Sequence, residues 1–239
     1  QDRSAIVWNA ETGLPAHVLK GHTWWVNSAK FSRDGKKVVT ASRDGTVLAW
    51  DLTKKKDGTI ARPVPFTGHS GPVYTATFSP DGDWIASGGY DKRILLWQPK
   101  DLKSFDYQKL IQDEKVPATP FIELNGHTAA IRKLQFDSTG TRLLSGSHDN
   151  SMKIWFAREV TTVTGRIKAG TLSKTLRGHS SLIRDCAFFA GDKRVISVSY
   201  DTRVKIWDIG TYEEQRMFPG HVLAGHTDAV LYASFSKDG

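Results

Sequence analysis

The stretch Gly68-His69-Ser70-Gly71-Pro72-Val73-Tyr74-Thr75-Ala76-Thr77-Phe78-Ser79-Pro80-Asp81-Gly82-Asp83-Trp84-Ile85-Ala86-Ser87-Gly88-Gly89-Tyr90-Asp91-Lys92-Arg93-Ile94-Leu95-Leu96-Trp97 decides the fold. Val73 to Phe78 alternates apolar and polar residues and predicts a half-buried strand, A. Pro80-Asp81-Gly82-Asp83 is a turn signal, because glycine takes the positive φ that a tight reversal needs. Trp84 to Ser87 predicts strand B, and after the turn carrying Asp91 strand C runs into Trp97. Helical periodicity is missing.

The layout repeats along the chain. Gly-His occurs at Gly21-His22, Gly68-His69, Gly126-His127, Gly178-His179 and Gly225-His226, and four of these histidines are followed after 28 residues by Trp50, Trp97, Trp155 and Trp207. An aspartate sits six residues before each tryptophan, at Asp44, Asp91, Asp149 and Asp201, and a hydroxyl residue four before that, at Thr40, Ser87, Ser145 and Ser197. Strand A is predicted again at Val26 to Phe31, Ile131 to Phe136 and Ile183 to Phe188, and strand B at Val38 to Ser42, Leu143 to Ser147 and Val195 to Ser199. A more variable fourth strand, D, leads to the next Gly-His. The chain is therefore expected to be all-β.

Gly-His, then Ser/Thr, then Asp, then Trp, followed by Asp in Trp50-Asp51 and Trp207-Asp208, resembles the WD-repeat family of β-propellers over essentially the whole chain. Trp97-Gln98, Trp155-Phe156 and Trp8-Asn9 depart from the dipeptide, a position that varies within such repeats. The resemblance implies a propeller of four full four-stranded blades (21–67, 68–125, 126–177 and 178–224) plus a partial blade split between residues 1–20, strands C and D, and 225–239, one strand A. One strand B is then missing, since Asp238-Gly239 stands at the turn where it would begin. Propellers span about 4–8 blades, and an open end exposes strand edges. The expectation is either a fragment of a longer propeller or closure by a second chain. The turns Phe31-Ser32-Arg33-Asp34-Gly35 and Phe78-Ser79-Pro80-Asp81-Gly82 resemble those of bacterial WD-repeat proteins, whose propellers are found attached to signalling enzymes such as serine/threonine kinases.

A buried indole N–H needs a partner, because an unpaired buried polar group costs about 1–3 kcal/mol. A Ser/Thr hydroxyl and a histidine supply one, and an aspartate in the B-to-C turn accepts from the imidazole and from turn amides. The resemblance assigns this structural network to Trp50/Thr40/His22/Asp44, Trp97/Ser87/His69/Asp91, Trp155/Ser145/His127/Asp149 and Trp207/Ser197/His179/Asp201.

Ser, His and Asp in one unit also invite a nucleophilic-triad reading. An enzyme seldom needs identical triads in four units, each with its hydroxyl occupied by a tryptophan, so no enzyme is expected. His221 and His226 suggest a metal pair, but no Cys or His cluster with zinc-ligand spacing accompanies them; a loop histidine and a blade histidine are the plainer reading. No Gly-rich phosphate loop stands between a strand and a helix, and no cofactor is expected.

Composition sets the remaining bounds. With 39% hydrophobic and 24% charged residues the chain has material for a sizeable core. No run approaches the roughly 18 apolar residues of a membrane span, and the N-terminus lacks a signal-peptide layout, although the chain starts in mid-pattern at Ile6-Val7-Trp8-Asn9. Cys186 is the single cysteine, which excludes an internal disulfide and fits a reducing compartment, the cytoplasm. A formal charge of +8 favours acidic partners or nucleic acid if it gathers on one face.

In WD-repeat propellers the D-to-A and B-to-C loops share the face where partners commonly dock. Carried over by position, the residues before the turn aspartates are Arg43, Tyr90, His148 and Tyr200, and those three and five after the histidines include Trp25, Asn27, Tyr74, Arg132 and Arg184. Trp24-Trp25 joins this set, since two loop indoles are expensive to leave solvated; the alternative is that one packs between blades. The function expected is a protein or peptide scaffold, with self-association to complete the propeller as a further possibility. Length variation falls after strand C: residues 98 to 123, with Phe105, Tyr107, Leu110, Ile111, Pro117 and Pro120, predict a short helix or ordered loop, and Met217 to Ala224, with Pro219-Gly220-His221, an irregular strand D. Lys54-Lys55-Lys56 and Arg158 to Arg177 hold much of the excess positive charge, read as solvated loops or else as a nucleic-acid or polyanion site.

Overall fold

The computed structural model describes residues 2–53, 59–98, 121–210, 222–223 and 227–232. The chain divides into two compact units, Gln1–Ile122 and Glu123–Gly239. The described residues contain no helix; every regular element is a strand.

Unit 1 opens with a hairpin of β1 (Ser4–Trp8) and β2 (Pro15–Lys20). A four-stranded antiparallel sheet follows, from β3 (Val26–Phe31) through β4 (Lys37–Ser42) and β5 (Val47–Asp51) to β6 (Val64–Phe66). The next sheet has β7 (Val73–Phe78), β8 (Ile85–Gly89), β9 (Ile94–Trp97) and β10 (Phe121–Leu124). In unit 2 the first sheet runs β11 (Ile131–Phe136), β12 (Arg142–Ser147), β13 (Ser151–Phe156) and β16 (Leu172–Arg177). The short hairpin β14 (Val160–Thr162) and β15 (Gly165–Ile167) lies between β13 and β16. The last sheet holds β17 (Ile183–Phe189), β18 (Arg194–Ser199), β19 (Val204–Asp208) and β20 (Val222–Leu223).

The sequence pattern explains which strands sit deepest. β4 and β8 are largely runs of small and β-branched residues and β5 and β9 largely apolar runs ending near a tryptophan, and all four are buried on both faces. In unit 1 Val39, Ala41, Val47 and Phe66 of one sheet pack against Val73, Ala76, Ile85 and Trp97 of the next, with Phe66 and Trp97 ring centroids 5.5 Å apart. Unit 2 repeats the arrangement with Leu144, Met152, Ile154 and Leu176 against Ile183, Cys186, Val195 and Trp207. Gly146 permits that approach, since a Cβ there would stand 3.0 Å from both Cys186 Sγ and Ile183 Cγ2.

Strand expectations and observed strands differ at a few ends. The strand expected from Trp84 begins at Ile85 and continues to Gly89, and the one expected to stop at Phe188 reaches Phe189. The basic segment Arg158 to Arg177 is not one solvated loop: it contains the β14–β15 hairpin and the whole of β16. Of the strand expected after residue 225, residues 227–232 carry no strand and the remainder lies outside the described residues. Lys54-Lys55-Lys56, His221, His226 and most of the 98 to 123 insertion also lie outside them.

Candidate partner-binding site

Each four-stranded sheet contains one chain of side-chain hydrogen bonds. The indole N–H of Trp97 donates to Ser87 Oγ at 2.8 Å, Ser87 Oγ lies 2.8 Å from His69 Nε2, and His69 Nδ1 lies 2.9 Å from Asp91 Oδ2. The counterparts are Trp50–Thr40 at 2.9 Å, His22–Thr40 at 2.7 Å and His22–Asp44 at 2.9 Å. In unit 2, Trp155–Ser145 and His127–Ser145 are both 2.8 Å and His127–Asp149 is 2.7 Å. Trp207–Ser197 is 2.7 Å, His179–Ser197 2.8 Å and His179–Asp201 2.7 Å. Each aspartate also accepts the amide of the residue after its histidine: Thr23, Ser70, Thr128 and Ser180.

Proton counting fixes the tautomer. The ionised carboxylate can only accept, so a neutral imidazole carries its proton on Nδ1 facing it, and the bare Nε2 accepts from the hydroxyl, whose oxygen in turn accepts from the indole. Burial holds His22, His127 and His179 below the ordinary imidazole range, against the pull of their aspartates, which keeps this neutral form. Burial pushes the Asp44, Asp149 and Asp201 carboxyls up, but the hydrogen bonds they accept outweigh it and all three stay below the usual range. Thr40, Ser87, Ser145 and Ser197 are fully buried, so these hydroxyls are out of reach of a substrate in solvent.

The loops above this network are organised by two backbone devices. At the start of β3, β7, β11 and β17 the register with the neighbouring strand slips by one residue, leaving Asn27, Tyr74, Arg132 and Arg184 as the extra residue of a β-bulge. The amide before each turn aspartate donates to the carbonyl just ahead of that strand: Arg43 to Trp25 at 2.9 Å, Tyr90 to Pro72 at 2.8 Å, His148 to Ala130 at 2.9 Å and Tyr200 to Leu182 at 3.2 Å. The bulge residue and the turn residue of each sheet are thus held at the same end.

In unit 1, Trp24 and Trp25 are 52% and 38% exposed and Arg43 lies across both, 5.9 and 4.9 Å from the ring centroids. A shallow groove of about 370 Å³ runs beside them, lined by Arg43, Gly45, Thr67, His69 and Gly71. Tyr90 is 64% exposed over Gly71, and Tyr74 is half-buried. The Asn27 amide donates to Val73 O at 2.7 Å, tying β3 to β7. In unit 2, Arg132, His148 and Arg184 are half-buried and Tyr200 is 46% exposed.

Sequence reasoning passed over a further hydroxyl, two residues before the turn aspartate. Ser42, Ser147 and Ser199 cap the aspartate amide and donate to Trp24 O, Ala129 O and Ser181 O. The recurring serine was the available signal. The second sheet has Gly89 there, because a Cβ would stand 2.5 Å from Pro72 O.

The domain model described as "WD domain, G-beta repeat" matches residues 13–51, 62–98, 118–155 and 170–208, well over half of the chain. This chain belongs to that family. Its fold is the all-β WD-repeat propeller type, built from four-stranded antiparallel blades. Each matched WD repeat begins before the outer strand of one blade and ends in strand C of the next, so consecutive blades share each repeat. The chain is 28% identical over 209 residues to Nuclear distribution protein PAC1 of Arthroderma benhamiae, covering 87% of this chain and 34% of that protein. It is 24% identical to Apoptotic protease-activating factor 1 of Mus musculus, over 97% of this chain and 19% of the relative. With Guanine nucleotide-binding protein subunit beta of Arabidopsis thaliana it shares 27% identity, over 100% and 59%. The chain spans about a third of the length of the first of these relatives.

Among the described residues no helix is long and apolar enough to cross a membrane, and no group of three or more His, Cys, Asp or Glu stands together as a metal site.

Proposed function

We propose that this chain is a non-enzymatic interaction module that holds protein or peptide partners at the blade ends where the strand-A bulges and B-to-C turns meet. The supporting observation is the exposed Trp24–Trp25–Arg43 stack beside the groove in unit 1, with Tyr90 on the neighbouring blade. Aromatic and arginine side chains dominate interface energetics, and a rigid backbone presents them at low entropic cost. One of the relatives is by its name a subunit, a protein that works in an assembly.

The test is selection of binding peptides from a random displayed library against the folded chain, followed by affinity measurement on variants. Trp25→Ala and Tyr90→Ala are expected to weaken the selected peptides by at least about tenfold. Phe31→Ala, exposed on β3 away from these loops, is expected to leave them unchanged. Peptides that tolerate Trp25→Ala and Tyr90→Ala but not Phe31→Ala overturn the proposal.

A further inference from the structure

Arg43 differs from the other residues along the groove of unit 1 in that nothing answers its charge. Its guanidinium lies over Trp24 and Trp25, and among the described residues it donates no hydrogen bond and enters no ion pair. The adjacent carboxylate is already taken. Asp44 Oδ2 accepts from His22 Nδ1 and the Thr23 amide, and Oδ1 accepts from the amide and the hydroxyl of Thr46. Arg43 is exposed, so burial does not withhold a partner from it. Stacking on ring faces orients a guanidinium and leaves its in-plane N–H edges free to bond. The bond from Arg43 N to Trp25 O fixes the backbone end of the same residue.

The groove itself suits an extended segment. Gly45, Gly68 and Gly71 line it without side chains, so a peptide backbone can come close. Tyr90 lies against Gly71, where a Cβ would stand 3.7 Å from its Cδ1, and so adds a second exposed aromatic beside the groove. The other polar groups nearby are spent: His69 on Ser87 and Asp91, and Arg93 on Gly68 O. Among the lining residues Arg43 is the one lysine or arginine.

We infer that Arg43 is a carboxylate receptor, and that the groove takes peptide partners carrying an Asp or Glu next to an apolar residue. The inference rests on the interaction role proposed above and names which peptides that site selects. The acid meets the guanidinium fork, whose planar geometry matches the paired oxygens of a carboxylate. Its apolar neighbour rests on the exposed indoles, which are covered only at the face that Arg43 occupies. A nucleic-acid strand would need cations continuing along its phosphates, whereas the groove supplies a single one. The formal charge of +8 draws acidic segments toward the chain, and the fork decides where one docks.

The test selects a displayed library of random dodecapeptides on the whole chain and titrates each leading peptide beside its amide twin, with Glu replaced by Gln or Asp by Asn. Selection is expected to enrich Asp or Glu adjacent to an apolar residue. The amide twin is expected to bind the parent chain at least about fivefold more weakly than the acidic peptide. On Arg43→Gln the two are expected to agree within about twofold, the signature of a direct pair. Arg43→Lys keeps the charge but loses the fork, so an intermediate acid preference is expected; it decides the matter if Arg43→Gln melts early. Arg33→Gln removes an equal charge from an exposed turn outside the groove and is expected to change affinity less than about twofold. No acidic enrichment, an amide twin that binds equally well, or an acid preference that survives Arg43→Gln or falls as far in Arg33→Gln overturns the receptor. A short single-stranded DNA that displaces the acidic peptide through Arg43 overturns it in favour of a phosphate site. If selected peptides depend on Trp25 and Tyr90 but carry no acid preference, only the receptor falls; if they depend on neither, the interaction role falls with it.

Discussion

The Arg43 guanidinium lies 4.9 Å from the ring centroid of Trp25, and the two residues are also joined by the bond from Arg43 N to Trp25 O. The B-to-C turn therefore fixes the attitude of an exposed indole on the preceding loop. A cation over an exposed aromatic face contributes only about 0.5–1 kcal/mol, so Arg43→Ala is expected to lower unfolding free energy by less than about 1 kcal/mol. Its effect on a bound peptide is expected to be larger, because the indoles lose their preset orientation. Urea unfolding and peptide titration of the same variant separate the two.

Tyr90 and Tyr200 occupy the corresponding turn position on other blades, and both are exposed, Tyr90 more than Tyr200. Tyr90→Ala with Tyr200→Ala is expected to abolish peptide capture while changing stability by under about 1 kcal/mol. A large stability loss in thermal unfolding would mean that these rings are core.

Asp91 is the far end of the Trp97–Ser87–His69 chain, and its side chain is 4% exposed. Asp91→Ala leaves the His69 Nδ1–H and the Ser70 amide without their acceptor and is expected to cost about 2–4 kcal/mol. Denaturant unfolding reads this directly. Stability equal to the parent chain would remove the structural role from this network.

The same networks set a pH dependence. His22, His127 and His179 have folded pKa values below the ordinary 6.5, so the unfolded chain binds more protons as pH falls through that value. Stability from these groups is fully present above 6.5 and declines below it, since a protonated Nε2 can no longer accept from the Ser/Thr hydroxyl. Asp44, Asp91, Asp149 and Asp201 are also depressed, from 3.8, and add a second loss as pH falls further. Unfolding free energy is expected to fall monotonically from pH 7.5 toward pH 3, in two stages; a rise on acidification through 6.5 would contradict the tautomer assigned here.

The residue after each turn aspartate is left-handed: Gly45 at φ 85°, Lys92 at 70°, Asn150 at 65° and Thr202 at 67°. Three of these turns use a residue that pays a steric cost there, greatest for the β-branched Thr202. Thr202→Gly is expected to raise stability by about 1 kcal/mol after the added freedom of the unfolded chain is counted, measured by denaturant unfolding.

Much of this was legible beforehand because it repeats. Gly-His, hydroxyl, Asp and Trp keep one spacing because every blade must pair the same buried indole, and their hydrogen bonds join the residues that the spacing put together. The bulges were not legible. Asn27, Tyr74, Arg132 and Arg184 share a position but no residue type, since a bulge is a property of strand pairing rather than of the side chain it displaces.

By itself, then, the sequence determined the class of the fold, the repeat and the members of each network, because short-range periodicity and the cost of an unpaired buried donor act through residue type and spacing. Tertiary structure alone decided which loop residues meet. Arg43 reaching Trp24 and Trp25, and Lys133 reaching Asp185, depend on how neighbouring strands and blades register against one another, which is set by packing between segments distant in the chain.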